Sequence, residues 1–477
     1  TCRNHYGQRG KRVIQAMVIW PPYPYEAGFC VTDDPDASTL AQTRAVYDYL
    51  LSRSFVTTKA VWAFEPEEGC GLPATPDSTL RGITLQNEDF FSYCKELYQN
   101  GFELCLHGAS AGNNKRERTR DALDLFAEHF GKPDTFICHS KNAENLYWED
   151  NVTSRFPFRA LLGAYSKHSC EGESEPSPYY WGDICYSKIN QIRLYRTRRR
   201  NTLEINPSMP YYDDRKPLVN GWFAATKRAL ADCAAEDALE RLKREHGLTI
   251  LYQYLHRYAD AESQRLNDKF VQSVERISSD SGIIVQTVTS VMKRLRQIQG
   301  VFVVYQEDHF WIVNVNDEDI ADLQIVANQP IGIELHDGNV LSSGCTLVFK
   351  TVPRNSVTSF RTSDHIFFSN KNSFAAEKDR HVSCDLPFGK LLINLDVDKW
   401  QIPGGDSIPP GSFLLTTRRG GTGIPILSSL PYREELALIL DQSALIGREV
   451  ILRRRSLSIE KYLDSSRQIP LENHENW

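Results

Sequence analysis

Residues 29–36 read FCVTDDPD: a short apolar run at 29–31, then Thr32, two adjacent carboxylates Asp33 and Asp34, Pro35 and Asp36. Strand side chains alternate between faces, and a proline just beyond ends the ladder. The stretch therefore predicts a buried strand with acids where strand meets loop. Both Asp33 and Asp34 can turn toward a cleft at such an end. Packing two like charges there costs stability unless a cation or a proton lies between them. The same pair also fits a polar turn closed by an Asx hydrogen bond.

Outward from this strand, residues 13–296 alternate short apolar runs with helical periods. Strands are expected at 13–20, 55–64, 102–106, 135–138, 248–254 and 282–287, with helices at 39–52, 87–99, 115–130, 236–246, 269–277 and 288–297. Ser38 is a plausible N-cap for the first helix. This βα alternation predicts an α/β domain with a largely parallel sheet, closed or nearly closed as a barrel. Its polar residues fall at the C-terminal ends of successive strands: Asp33, Asp34, His107, His139 and His256. In α/β barrels that rim gathers the chemistry. One histidine at a strand end is unremarkable; three with an aspartate pair are harder to assign to chance.

Beyond Gly300 short strands separated by turn residues predict an all-β, sandwich-like domain. The boundary is placed between 1–298 and 299–477, the second part being read as an accessory or assembly module. A length of 477 residues suffices for two or three domains. The net charge of −6 argues against nucleic-acid binding over the whole surface. The basic runs at 196–200 (RTRRR) and 453–455 are local, each a solvated face or a phosphate site. Eleven cysteines without CxxC spacing suggest neither a disulfide framework nor a zinc knuckle. Cys30, Cys105 and Cys138 read as small core hydrophobes, which favours a reducing, cytoplasmic compartment. No apolar run reaches membrane-spanning length. The polar opening TCRNHYGQRGKR is no signal peptide, though without an initiator methionine an upstream segment could have been trimmed.

TDDPD on an early strand, LHGASAG at the end of a later one and LYQYLH on a late one resemble the motif order of the polysaccharide deacetylase (NodB homology) superfamily, carbohydrate esterase family 4 and its relatives. The phrases FG-KP and CHSKNAENLYW are similar to an atypical bacterial branch of it. The resemblance spans about residues 21–296 and implies a distorted (β/α) barrel. It further implies a metal-dependent hydrolase that removes N- or O-acetyl groups from a carbohydrate. It makes Asp33 the general base, Asp34 and His107 ligands of a zinc-type divalent ion, and His256 the acid that protonates the leaving group. The second histidine of the family's HxxxH motif would fall on Ala111. His139, ending the next strand, is the candidate for the missing imidazole.

Around these, Asn142, Asn145, Trp148, Tyr180, Trp181 and Asp183 are candidate substrate contacts, although Asn142 and Asn145 equally suit groups orienting a ligand, or a helix cap. Aromatic faces with polar neighbours suit sugar rings, and they equally suit a packed cap over the barrel. A homo-oligomer is left open. With HxxxH interrupted, the competing expectations are a metal-free barrel acting as a carbohydrate-binding or scaffold protein, and a hydrolase of non-sugar C–N bonds.

Overall fold

The fold is described from a computed structural model. It describes residues 13–67, 70, 81–139, 142–147, 171–205, 216–314, 316, 318–333, 339–354, 356–370 and 373–375, and the backbone of short strands between 381 and 469. The chain divides into two compact units, residues 24–295 and residues 1–23 with 296–477.

The first strand, β1 (Val13–Ile19), belongs to the second unit. It pairs antiparallel with one strand at 320–327 and parallel with another at 365–368. The opening residues thus complete a sheet far along the chain. The strand read at 13–20 is real but lies outside the barrel.

The unit of residues 24–295 is built on β2 (Ala27–Asp33), β3 (Thr58–Val61), β4 (Glu103–Leu106), β5 (Thr135–Ile137), β6 (Gln191–Thr197), β7 (Trp222–Thr226) and β8 (Leu248–Gln253). Each pairs in parallel with the next, and β2 pairs with both β8 and β3. The chain carries a closed, seven-stranded (β/α) barrel. A further strand, β9 (Ile283–Val285), runs parallel to the start of β2, below the point where β3 joins it.

Two of the seven strands, β6 and β7, were not evident in the sequence. The run QIRLYRT carries two arginines and a glutamine, which hide its alternation, and WFAAT is short. Tertiary pairing overrides such weak local preference.

Helices α1 (Leu40–Ser52), α2 (Glu88–Gln99) and α3 (Arg116–Phe130) pack outside the ring. The cap of α1 is Thr39, whose hydroxyl accepts from the Gln42 amide, and not Ser38 one residue earlier. Asn87 caps α2 by accepting from the Phe90 amide at 2.9 Å, with Glu88 and Asp89 in the first turn where they complement the helix dipole.

Alternation along the strands sorts the core into two layers. Phe29 and Val31 pack outward with Val46, Tyr47 and Leu50, while Leu104, Leu106 and Phe136 pack outward with Phe90, Leu123 and Phe126. The intervening residues Ala60, Cys105 and Ile137 form a separate small cluster inside the ring. Cys105 is fully buried, and burial pushes its thiol well above the ordinary range, so it serves as a small apolar residue.

Past the end of the helix Val288–Gln299, strands are the only regular elements among the described residues of the second unit. A five-stranded and a four-stranded sheet share one apolar cluster, to which Ile14, Val303, Ile312, Leu323 and Phe349 contribute. No helix among the described residues is long and apolar enough to cross a membrane.

Candidate metal and catalytic centre

The outward parity of β2 continues to its last residue. Asp33 therefore faces the helical layer, where its Oδ2 accepts from the Tyr47 hydroxyl and from Lys59 Nζ, each at 2.9 Å. Its Oδ1 accepts from the Leu255 amide at 2.7 Å. The closing register of the barrel pairs Asp33 with Lys59, so the ion pair is built into the strand geometry. Both residues are about 1% exposed. Asp33 is thus a buried anchor turned away from the ring interior.

Asp34, one residue on, has the opposite parity and enters the ring with Thr32. Arg193, on the inner face of β6, grips it with a two-pronged contact: Nη1 to Oδ1 and Nη2 to Oδ2, each at 2.7 Å. Arg193 Nη1 also reaches Thr32 Oγ1 at 3.3 Å. Burial acts to lower the arginine's pKa, yet Asp34 outweighs it and the guanidinium is held more firmly charged than usual. The adjacent aspartates of the sequence therefore sit in separate surroundings, because neighbouring strand residues cannot share a face.

The carboxylate that meets the imidazoles is Asp36, just past Pro35. Its Oδ1 lies 3.5 Å from His107 Nε2, and its Oδ2 lies 3.6 Å from His139 Nε2. His107 stands two residues after the inward Cys105, and His139 two after the inward Ile137, so both continue the interior face. Trp62, two after Ala60, packs its ring 4.7 Å from His107 and 5.1 Å from His139. Gly108 follows His107 with φ near +92°, a left-handed turn that glycine adopts without strain.

Hydrogen bonds fix both rings. His107 Nδ1 lies 3.0 Å from the Ile137 carbonyl, which can only accept, so Nδ1 donates there and Nε2 is the nitrogen turned toward Asp36. His139 Nδ1 lies 2.8 Å from Asn142 Oδ1. The Asn142 amide donates to the Gly112 carbonyl and to Glu144 Oε1, which leaves its oxygen facing the ring. Asn145 holds the same loop by donating to the His139 carbonyl at 2.6 Å. Asn142 thus holds the His139 ring and Asn145 its backbone.

Asp36, His107 and His139 offer one donor atom each within 4.8 Å of one another and could hold a metal ion. Two observations test the fit. His107 Nε2 and Asp36 Oδ1 are buried and lack a hydrogen-bond partner among the described residues. Burial would raise the Asp36 carboxyl, yet the two imidazoles pull it well below the usual carboxylate range. A divalent cation satisfies both orphaned atoms at once, so the residues present fit one. Asp34 Oδ2 stands 3.4 Å from His107 Nε2, beside this group, with both its oxygens engaged by Arg193. Asp36 is nearer than Asp34 to the role of carboxylate ligand.

Two tyrosines flank the centre, Tyr252 on β8 and Tyr254 just past its end. Tyr254 donates to Asp36 Oδ2 at 3.2 Å and receives the Tyr252 hydroxyl at 2.5 Å. His256 follows on a short 3-10 turn, Leu255–Tyr258, and is buried. Its Nδ1 has no hydrogen-bond partner among the described residues. Burial first, then Lys59 and Arg257, lower its pKa to about 4, against the opposing pull of Asp33 and Asp36.

This depressed value has a consequence for stability. Between the ordinary pKa of 6.5 and about 4, the unfolded chain binds a proton that folded His256 refuses, so stability falls as pH falls through that window. The loss should be on the order of 3 kcal/mol at the bottom of the window and nil at pH 7. Urea unfolding of metal-free protein at pH 4.5 and 7, with and without His256→Gln, checks it: the substitution should flatten the pH dependence, and an unchanged slope would remove this assignment.

The other expected contacts among the described residues, Tyr180, Trp181 and Asp183, have partners of their own. Trp181 is fully buried against Phe136, its ring centroid 4.8 Å away, and donates to the Glu144 carbonyl, so it is core and lines no groove. Asp183 is held at the surface by Arg116 through two contacts of 2.6 and 2.7 Å, which keep its carboxyl below the usual range. The same guanidinium lies 5.5 Å from the Tyr180 ring centroid. Trp148 lies outside the described residues.

No family model matches the chain, and no curated protein matches it. Among solved structures it is similar to a putative polysaccharide deacetylase from Mycobacterium smegmatis, at 8% identity and a TM-score of 0.33 over 59% of this chain and 93% of that one. It is similar to the Puue allantoinase at 10% identity and 0.33, over 57% and 93%. It is also similar to Agd3, a carbohydrate deacetylase, at 9% identity and 0.37, over 71% and 65%. At such identities and scores the functional reading rests on the residues of the centre itself.

Proposed function

We propose that the barrel is a metal-dependent hydrolase that removes acyl groups, N- or O-acetyl, from a carbohydrate. The observation that carries this reading is the convergence of Asp36, His107 and His139 at the inner rim, with each imidazole's remaining nitrogen fixed by a hydrogen bond. The class of substrate rests on the motif order TDDPD, LHGASAG and LYQYLH. Two imidazoles and a carboxylate suit zinc and leave room for a water. A bound divalent ion would polarise the acyl oxygen and lower the pKa of that water.

The chain's own residues supply the rest. Asp34, held rigidly by Arg193 beside the ligand group, is the carboxylate placed to accept the water's proton. This moves the base from Asp33 to Asp34 and the ligand from Asp34 to Asp36, one inward position further along in each case. Tyr254 donates to Asp36 and steadies it. His256 is neutral at rest, so it takes up a proton before delivering one to the leaving nitrogen or oxygen.

Metal analysis of protein purified without chelator should find a stoichiometric divalent ion. Asp36→Ala and His107→Ala should each lose it, along with acetate release from acetylated oligosaccharides. Absence of metal in the native protein, with none gained on adding zinc, would sink the hydrolase reading and favour a binding barrel.

A further inference from the structure

The basic run at 196–200 begins beside the centre, with the Arg196 guanidinium 6.0 Å from the Tyr252 ring centroid. Its last three members leave β6 and fold beside the helix Glu236–Arg244, where with Arg228 and Arg241 they line a pocket of about 320 Å³. Five arginines thus line a small space together with two acidic residues, Glu204 and Glu245. Arg199 pairs with Glu204 at 2.5 Å and Arg241 with Glu245 at 2.6 Å. Arg228 donates from Nε to the Arg198 carbonyl. That leaves Arg198, Arg200 and Arg228 without a carboxylate among the described residues, and Arg200 Nε buried without a hydrogen-bond partner there.

Like charges crowded around a shared cavity repel one another, and an anion between them removes that cost. Arginine forks match tetrahedral oxyanions through paired N–H contacts, which a spherical halide cannot reproduce. The backbone holds the cluster in place. The Arg200 carbonyl accepts from Thr249 Oγ1 at 3.0 Å, and Asn201 Oδ1 accepts from the Leu248 amide at 3.2 Å, so the loop is pinned to the first residues of β8.

We propose that this pocket binds a phosphate-class oxyanion, with Arg198, Arg200 and Arg228 as its principal contacts. The site is independent of the metal centre and of any turnover there. Calorimetric titration of the full chain with sodium phosphate, at ionic strength fixed with chloride, should show saturable binding. Orthophosphate and glucose 6-phosphate are titrated separately, since either carries the dianion; saturation by either supports the site, and their order identifies the carrier.

Arg198→Gln with Arg200→Gln should weaken binding at least about tenfold, while Arg200→Lys, which keeps charge and loses the fork, should weaken it less. Far-UV circular dichroism and metal content, unchanged in these variants, show that the barrel is intact. Absence of saturation by both ligands, or affinity unchanged in the double variant, would overturn the proposal.

Discussion

Replacing Asp34 with asparagine should lower kcat by about 10²–10⁴-fold while the protein still takes up its metal, the range expected when a positioned general base is removed. Asp34 is the inward carboxylate beside the ligand group, and Arg193 clamps both its oxygens at 2.7 Å. An amide cannot accept the water's proton, and its NH₂ would oppose one arm of the guanidinium. The variant should also lose stability, by about 3–5 kcal/mol, because Arg193 is buried and would lose its counter-charge. Activity is therefore compared below the variant's unfolding temperature, with metal content measured on the same sample. Loss of metal would instead place Asp34 among the ligands, and undiminished kcat would remove it from the chemistry. Asp36→Asn separates the two roles, since it should lose metal first.

How much of this centre could be read in advance turns on parity. The strand that ends at Asp33, the histidines at 107 and 139 and the barrel itself were legible because apolar runs, helical periods and strand-end imidazoles are local signals. The assignment of the acids was not, although the means to make it were present. If Phe29 and Val31 face one layer, Asp33 must join them, and Thr32 and Asp34 must face the other. Counting on by two past the strand's end reaches Asp36, as it reaches His107 from Cys105 and His139 from Ile137.

Arg193 was hidden for a different reason. A charged residue inside a short run argues against a buried strand unless its partner is known, and that partner lies 159 residues earlier. Lys59 posed the same difficulty, since nothing in FVTTKAVWAF announces that its lysine meets Asp33 across the closing seam of the ring. The second unit's use of β1 was equally opaque, because strand pairing across more than three hundred residues leaves no periodic trace. Trp181 looked like a sugar platform by composition, whereas its indole N–H finds a partner in the Glu144 carbonyl and its ring fills the core.

The seam makes the second large prediction. Lys59→Met should destabilise the barrel by about 3–5 kcal/mol, because it leaves the Asp33 carboxylate buried without its cation. For a unit of this size that corresponds to a fall of roughly 10 °C in Tm. Asp33→Asn should cost a similar amount by stranding Lys59, although its one side-chain oxygen can still accept from the Leu255 amide. The double variant carries no unpaired charge and should be more stable than either single one, a coupling that a double-mutant cycle of urea midpoints measures directly. Below its unfolding temperature Asp33→Asn should keep kcat within about tenfold of the parent, since a carboxylate facing the helical layer takes no proton from the centre. A fully folded Asp33→Asn protein with its metal bound and no turnover would return Asp33 to the chemistry. Asp33 does touch the site indirectly, because the amide it accepts from, Leu255, opens the turn that carries His256. Part of any modest rate loss should therefore track the position of that imidazole, and it should appear together with a shift in the pH dependence of stability that His256 sets.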